Sequence, residues 1–118
     1  MGQMTLQDAM GELIGRDLAS IQFVRDYIQF GFDGPCLTTL TLPSLRLART
    51  TITSGDQCYA DHLRSEIGSK VSSVAVGSDE LVITFASGSA LVVSLRDEDY
   101  RGPEAINYAN DNGPLFVV

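Results

Sequence analysis

Residues 66–95 read E-I-G-S-K-V-S-S-V-A-V-G-S-D-E-L-V-I-T-F-A-S-G-S-A-L-V-V-S-L. Gly68 stops a helix, because glycine takes the left-handed conformation that follows a last helical turn. Three short strands are predicted after it, at about 70–76, 80–85 and 89–95. Gly77-Ser78-Asp79 and Ser87-Gly88 are the turns between them. Upstream, Ser54-Gly55-Asp56-Gln57 has the spacing of a capping box, with Ser at the cap and Gln three residues later. Tyr59, Leu63 and Ile67 then form the apolar stripe of a second helix that ends at Gly68.

The same grammar occurs earlier in the chain. Thr5 and Asp8 open a first helix predicted over 6–14, with Leu6, Met10, Leu13 and Ile14 on one face and Gly15 as its stop. Ala19, Ile21 and Phe23 alternate with polar residues, and so do Ile28, Phe30 and Phe32. Asp33-Gly34 supplies a positive-φ pair for a tight hairpin. A Thr-rich strand follows over 37–42, and Pro43 breaks it. Leu45, Leu47 and Ile52 suggest a fourth strand. Near the end, 105–108 and 115–118 read as further short strands.

A shift of 53 residues superposes the two patterns. It matches Ile14 with Ile67, Gly15 with Gly68, Ser20 with Ser73, Asp26 with Asp79 and Phe32 with Phe85. One extra residue then aligns Asp33-Gly34 with Ser87-Gly88. Internal duplication is one reading of this likeness; the other is that any two αβββ units show it, because caps, turns and alternation are shared physics. One helix and one three-stranded meander bury too little to stand alone. The expectation is therefore α+β: two αβββ-like halves, at about 5–53 and 54–118, in one domain. They form an antiparallel sheet or a partly open barrel with two helices.

Composition narrows the function. A length of 118 residues suits one domain, and 44% hydrophobic residues suit a globular one. No apolar run is long enough to span a bilayer, and the first residues lack the pattern of a signal peptide. The expected location is cytoplasmic, without membrane attachment. The net charge of −7 repels a phosphate backbone, so nucleic acid is not an expected partner; a basic protein partner is compatible with it, although net charge mostly reports solubility. Arg46 and Arg49 are the one basic pair close in sequence, and read most simply as solvated edge charges. The two cysteines, Cys36 and Cys58, form no C-x-x-C pair and are expected to be reduced thiols.

Candidate chemistry is sparse. Cys58, His62 and Glu66 fall at i, i+4 and i+8 on the second helix. A thiol, an imidazole and a carboxylate in series could make a base-activated nucleophile. The plainer reading is a boundary stripe with a surface His–Glu pair. Cys58 and His62 supply two metal ligands where zinc wants about four, and Asp97-Glu98-Asp99 lacks the spacing of a calcium loop, so no metal site is expected. Nucleotide-binding glycine patterns are absent, and no cofactor is expected. Tyr100, Arg101 and Glu104 could line a ligand pocket beside Tyr108; the plainer reading is a rigid bend set by Gly102-Pro103.

The motifs I-G with F-D-G in the first half, I-G with L-V-I-T-F-A-S-G-S-A-L-V-V-S-L in the second, and R-G-P-E-A near the end resemble a family of small uncharacterised bacterial proteins. That resemblance implies a bacterial, cytosolic, stand-alone domain and brings no activity and no catalytic residue. The sequence thus points to a non-enzymatic binding or protein-interaction module, with toxin neutralisation as one form by analogy. Its apolar C-terminal strand, 115–118, could pair two copies into a homodimer. The alternative is a small-ligand-binding protein or a cysteine-based enzyme with a pocket between the halves.

Overall fold

The computed structural model describes residues 5–100, 102, 104–109 and 116–117. Its elements, in order, are α1 (Leu6–Met10), a 3-10 turn (Gly11–Leu13), β1 (Ser20–Val24), β2 (Tyr27–Gly31), β3 (Cys36–Thr39), β4 (Ser44–Arg46) and β5 (Thr51–Ile52). Then come α2 (Tyr59–Arg64), β6 (Val71–Val76), β7 (Glu80–Phe85), β8 (Ala90–Ser94), a second 3-10 turn (Asp97–Asp99), β9 (Ile106–Ala109) and β10 (Phe116–Val117). The fold is α+β with antiparallel pairing throughout the described strands. It is neither one continuous sheet nor a closed barrel. The described strands form two five-stranded sheets, ordered β1-β2-β3-β9-β10 and β5-β4-β8-β7-β6.

The halves are interleaved. Each keeps its first three strands in one sheet and sends its last two to the other: β4 joins β8 through Leu45 opposite Leu91, and β9 joins β3 through Tyr108 opposite Leu37. Registers agree under the 53-residue shift. Ile21 faces Phe30 and Phe23 faces Ile28; Val74 faces Ile83 and Val76 faces Leu81. Both sheets carry a bulge at the same place. Ala19 N–H reaches the Gly31 carbonyl that Ser20 already opposes, and the register of β6 slips between Val71 and Ser73.

Where the halves meet, equivalent residues bond each other. Asp17 and Lys70 form an isolated antiparallel bridge, with Lys70 Nζ 3.3 Å from Asp17 Oδ1. Gly15 N–H donates to the Val71 carbonyl at 2.9 Å, and Gly68 N–H to the Leu18 carbonyl at 2.7 Å. Leu18 N–H donates to Ser69, and Val71 N–H to Arg16, both at 2.9 Å. These pairs exchange under the shift, so a pseudo-two-fold axis passes through the Asp17–Lys70 bridge. Gly15 (φ 89°) and Gly68 (φ 96°) turn the chain into this seam in a conformation that other residues adopt at a penalty.

One hydrophobic cluster draws on both sheets: Phe30, Leu37 and Tyr108 from one, Leu45, Ile83, Phe85 and Leu91 from the other. The alternation of buried residues along β2, β7 and β8 is the period-two pattern of strands with one face on a core. Full burial of each such side chain contributes about 1.5–3 kcal/mol.

Both helices are shorter than their stripes suggest. The α-helical part of the first ends at Met10, and the second at Arg64. Ile14 and Ile67, expected on the apolar faces, lie past those ends and are 51% and 44% exposed. Thr5 and Asp8 form the expected capping box. Ser54 and Gln57 do not: α2 starts at Tyr59 with no side-chain cap. Asp56 Oδ2 instead accepts the Thr53 amide at 2.7 Å, which closes a turn before the helix can begin. Tyr59 then anchors α2, its hydroxyl donating to the Pro43 carbonyl at 2.5 Å.

Candidate functional site

The residues singled out on the second helix are dispersed. Cys58 is exposed and occupies the N-cap of α2. His62 sits within the helix, its amide bonded to the Cys58 carbonyl at 2.9 Å, and no described hydrogen bond links its ring to Cys58 or Glu66. Glu66 lies beyond the helix and is buried. Its Oε1 accepts the Ser89 hydroxyl at 2.6 Å and the Ser87 hydroxyl at 3.3 Å, tying the end of α2 to the β7–β8 turn. Its partners are therefore turn serines, not the imidazole. Burial pushes the Cys36 thiol above its ordinary value, with a smaller opposing effect of a hydrogen bond to Thr38.

Of the second group, Tyr100 packs against the core and is half-buried. Asn107, with its amide nitrogen turned toward Glu104, donates to Glu104 Oε2 at 3.0 Å. Arg101 lies outside the described residues. The Tyr108 ring is buried and its hydroxyl donates to Glu12 Oε1 in a short hydrogen bond. No hydrogen bond joins Tyr100 to Glu104 among the described residues. In the C-terminal strand, Phe116 packs against the core, so that residue already serves the fold.

A different set does converge. The β6–β7 turn is closed by Gly77 N–H on the Glu80 carbonyl at 2.9 Å, and the Asp79 carbonyl accepts Leu95 N–H at 2.8 Å. That second bond holds the chain leaving β8 against the turn. Two consecutive 3-10 bonds, Asp99 N–H to Arg96 and Tyr100 N–H to Asp97, then fold Asp97–Asp99 back beside it. Ser94 Oγ fixes the arrangement: it donates to Asp99 Oδ2 at 2.5 Å and accepts Arg96 N–H at 3.2 Å.

The result is an acidic depression. Its larger part, about 520 Å³ and open to solvent, is lined by Ser78, Asp79, Leu95, Arg96, Asp97 and Glu98. A smaller neighbour of about 280 Å³ adds Glu80 and Asp99, over a floor that includes Leu42 and Val92. Five exposed carboxylates thus surround one surface. Arg96 meets Glu98 at 3.8 Å and Arg46 meets Glu80 at 4.0 Å, exposed pairs of small energetic weight. The side chains of Asp79 and Asp97 make no described hydrogen bond or ion pair. The sequence marks Asp97-Glu98-Asp99 only as an acidic run without calcium-loop spacing; that Asp79 and Glu80 join it depends on the Asp79–Leu95 bond, which no local pattern signals.

Among the described residues there is no cluster of three or more metal-ligating side chains, and no helix is long and apolar enough to cross a membrane. Comparison with known proteins finds no family model, no curated protein and no solved structure that matches the chain. The resemblance carried by the I-G, F-D-G and R-G-P-E-A motifs rests on those motifs alone.

Proposed function

We propose that the protein is a non-enzymatic, cytosolic binding module that recognises a basic segment of a partner protein through the acidic depression at the β6–β7 turn. The observation that carries this reading is the convergence of Asp79, Glu80, Asp97, Glu98 and Asp99 around an open, polar surface. Among the described residues the Asp79 and Asp97 side chains have no hydrogen-bond or ion-pair partner, and such carboxylates accept guanidinium or ammonium groups in charge-assisted bonds. A shallow, charged depression suits a flexible segment better than a small molecule, which is ordinarily held in an apolar cleft that buries most of its surface. Neutralising a basic toxin is a role of this kind. The two halves, by the same reading, are copies of one unit; their shared registers and reciprocal bonds support it.

The test is capture from source cells with tagged wild type and with the Asp79→Lys/Asp97→Lys double variant, both read by native mass spectrometry. A stoichiometric basic protein held by wild type and lost from the variant is the expected result. Equal capture by both would move the site elsewhere on the surface. A small molecule retained by wild type, with no protein, would replace this reading with the ligand-binding one.

A further inference from the structure

The two sheets expose four edges: β1, β10, β5 and β6. An uncovered edge invites pairing with another chain, and folds blunt theirs with short strands, charges or side-chain covers. β5 is two residues long, and β10 is described over Phe116–Val117. β6 is six residues long and is covered: Gln7 on α1 donates through Nε2 to the Val74 carbonyl at 2.9 Å and accepts Val76 N–H on Oε1 at 2.7 Å. One side-chain amide thus occupies the place of a neighbouring strand.

Among the described residues β1, five residues long, has no side chain bonded over its outer backbone groups. The shift that maps Val74 and Val76 onto Ile21 and Phe23 maps Gln7 onto Ala60, whose methyl group cannot bond a backbone. The matching registers make Gln22 the residue bonded to β2 and leave the backbone groups of Ile21 and Phe23 pointing outward. No described hydrogen bond satisfies those groups. The strand, S-I-Q-F-V, holds no charge and no proline. Phe23 is 37% exposed, with the Arg64 guanidinium 4.9 Å from its ring centroid.

We infer that β1 is a self-association edge, pairing antiparallel with β1 of a second copy about a two-fold axis at Gln22. Ile21 of each copy then exchanges both backbone hydrogen bonds with Phe23 of the other, which uses every outward group of the two residues. Charge at the strand ends selects this direction. Asp17 precedes β1 and Arg25 follows it, so antiparallel pairing brings Arg25 of each copy diagonally near Asp17 of the other, whereas parallel pairing would set like charges together. The seam itself is uncharged in a chain of net charge −7. Five residues make a small interface, so the dimer is weak and concentration-dependent.

This register sets the exposed Gln22 directly opposite Gln22 of the second copy, in the close, non-hydrogen-bonded kind of pair. Gln22→Lys and Gln22→Glu each place like charges there without touching the core. Sedimentation of wild type across a wide concentration range is expected to show the mass rising from one chain towards two. Each variant alone should need several-fold higher concentration for the same rise, and an equal mixture of the two should recover or exceed wild-type association. A wild type that stays monomeric to its solubility limit overturns the inference. So do variants that dimerise as well as wild type, or a mixture that gains nothing over either variant.

Discussion

β1 and β6 hold equivalent places in the two sheets, with the same register and the same bulge, yet one edge is covered and the other bare. The difference comes down to a single pair of corresponding residues, Gln7 and Ala60. The backbone plan of a repeated unit thus fixes where an edge lies, and one helix side chain decides whether it is closed. Elsewhere the halves diverge in the same way. Leu13 is an apolar core residue, while its counterpart Glu66 is a buried carboxylate held by two serine hydroxyls.

The comparison between halves can be broken most forcefully in the shared core. Phe30→Ala and Ile83→Ala alter corresponding positions in opposite sheets, 1% and 0% exposed. Each is expected to destabilise the whole chain by about 2–5 kcal/mol, in one cooperative transition. Two separated transitions in calorimetry would mean that the halves fold as independent units. A smaller effect tests the seam. Gly15→Ala and Gly68→Ala meet no neighbouring atom within 4 Å, so only their positive φ penalises them. Unfolding free energies from denaturant titration should fall for both by a similar amount, about 1–2 kcal/mol each. Unequal losses would show that the two turns are not equivalent in strain.

The edges themselves come next. Gln7→Ala removes two hydrogen bonds to β6 and is expected to lower stability by about 1–2 kcal/mol while raising self-association, since it opens a second edge. Ala60→Gln is the converse change and should weaken association through β1. A Gln7→Ala protein with unchanged mass at all concentrations would deny that the amide protects its edge.

The smallest expected effects concern titration. Burial raises the Tyr59 phenol well above its ordinary value near 10; Tyr108 is raised by burial first and by Glu12 second. The folded state holds these protons more tightly than the unfolded one, so their contribution is complete below about pH 10 and is lost as pH rises further. Urea midpoints measured from pH 8 upward should hold steady and then fall above 10, with a shallower fall in Tyr108→Phe. The thiols should differ too: the exposed Cys58 reacts with a disulfide reagent at pH 7 faster than Cys36, whose raised pKa leaves less thiolate. Equal rates would mean that the start of β3 around Cys36 opens freely.

Much of the architecture was legible because its signals are local. Asp33 (φ 63°) and Gly34 (φ 128°) adopt the positive-φ turn that Asp-Gly announces, and the period-two runs become β2, β7 and β8. The 53-residue shift is visible in both registers. The exchange of β4–β5 and β9–β10 between sheets was not legible, because alternation reports that a strand exists and not which strand it pairs with. Helix length misled at Glu66, which shares a stripe with Cys58 and His62 only if the helix continues past Arg64. Of the acidic depression, the run Asp97-Glu98-Asp99 was plain in the sequence. Its union with Asp79 and Glu80 was not, since it needs a backbone bond between distant segments. Gln7 gave no signal either: a polar residue on a short amphipathic helix reads as solvated until the strand beside it is known.

The strand exchange also bears on synthesis. A chain emerging from the ribosome presents β1, β2 and β3 early, but the partner that completes the inner side of β3 is β9, near the other end. The sheet of β4–β8 can close once Ser94 has emerged, whereas β3, paired with β2 on one side, keeps its other side open until residues 106–109 follow. The first half of the nascent protein therefore waits with an open strand edge, and the sheet that is begun first is the one completed last.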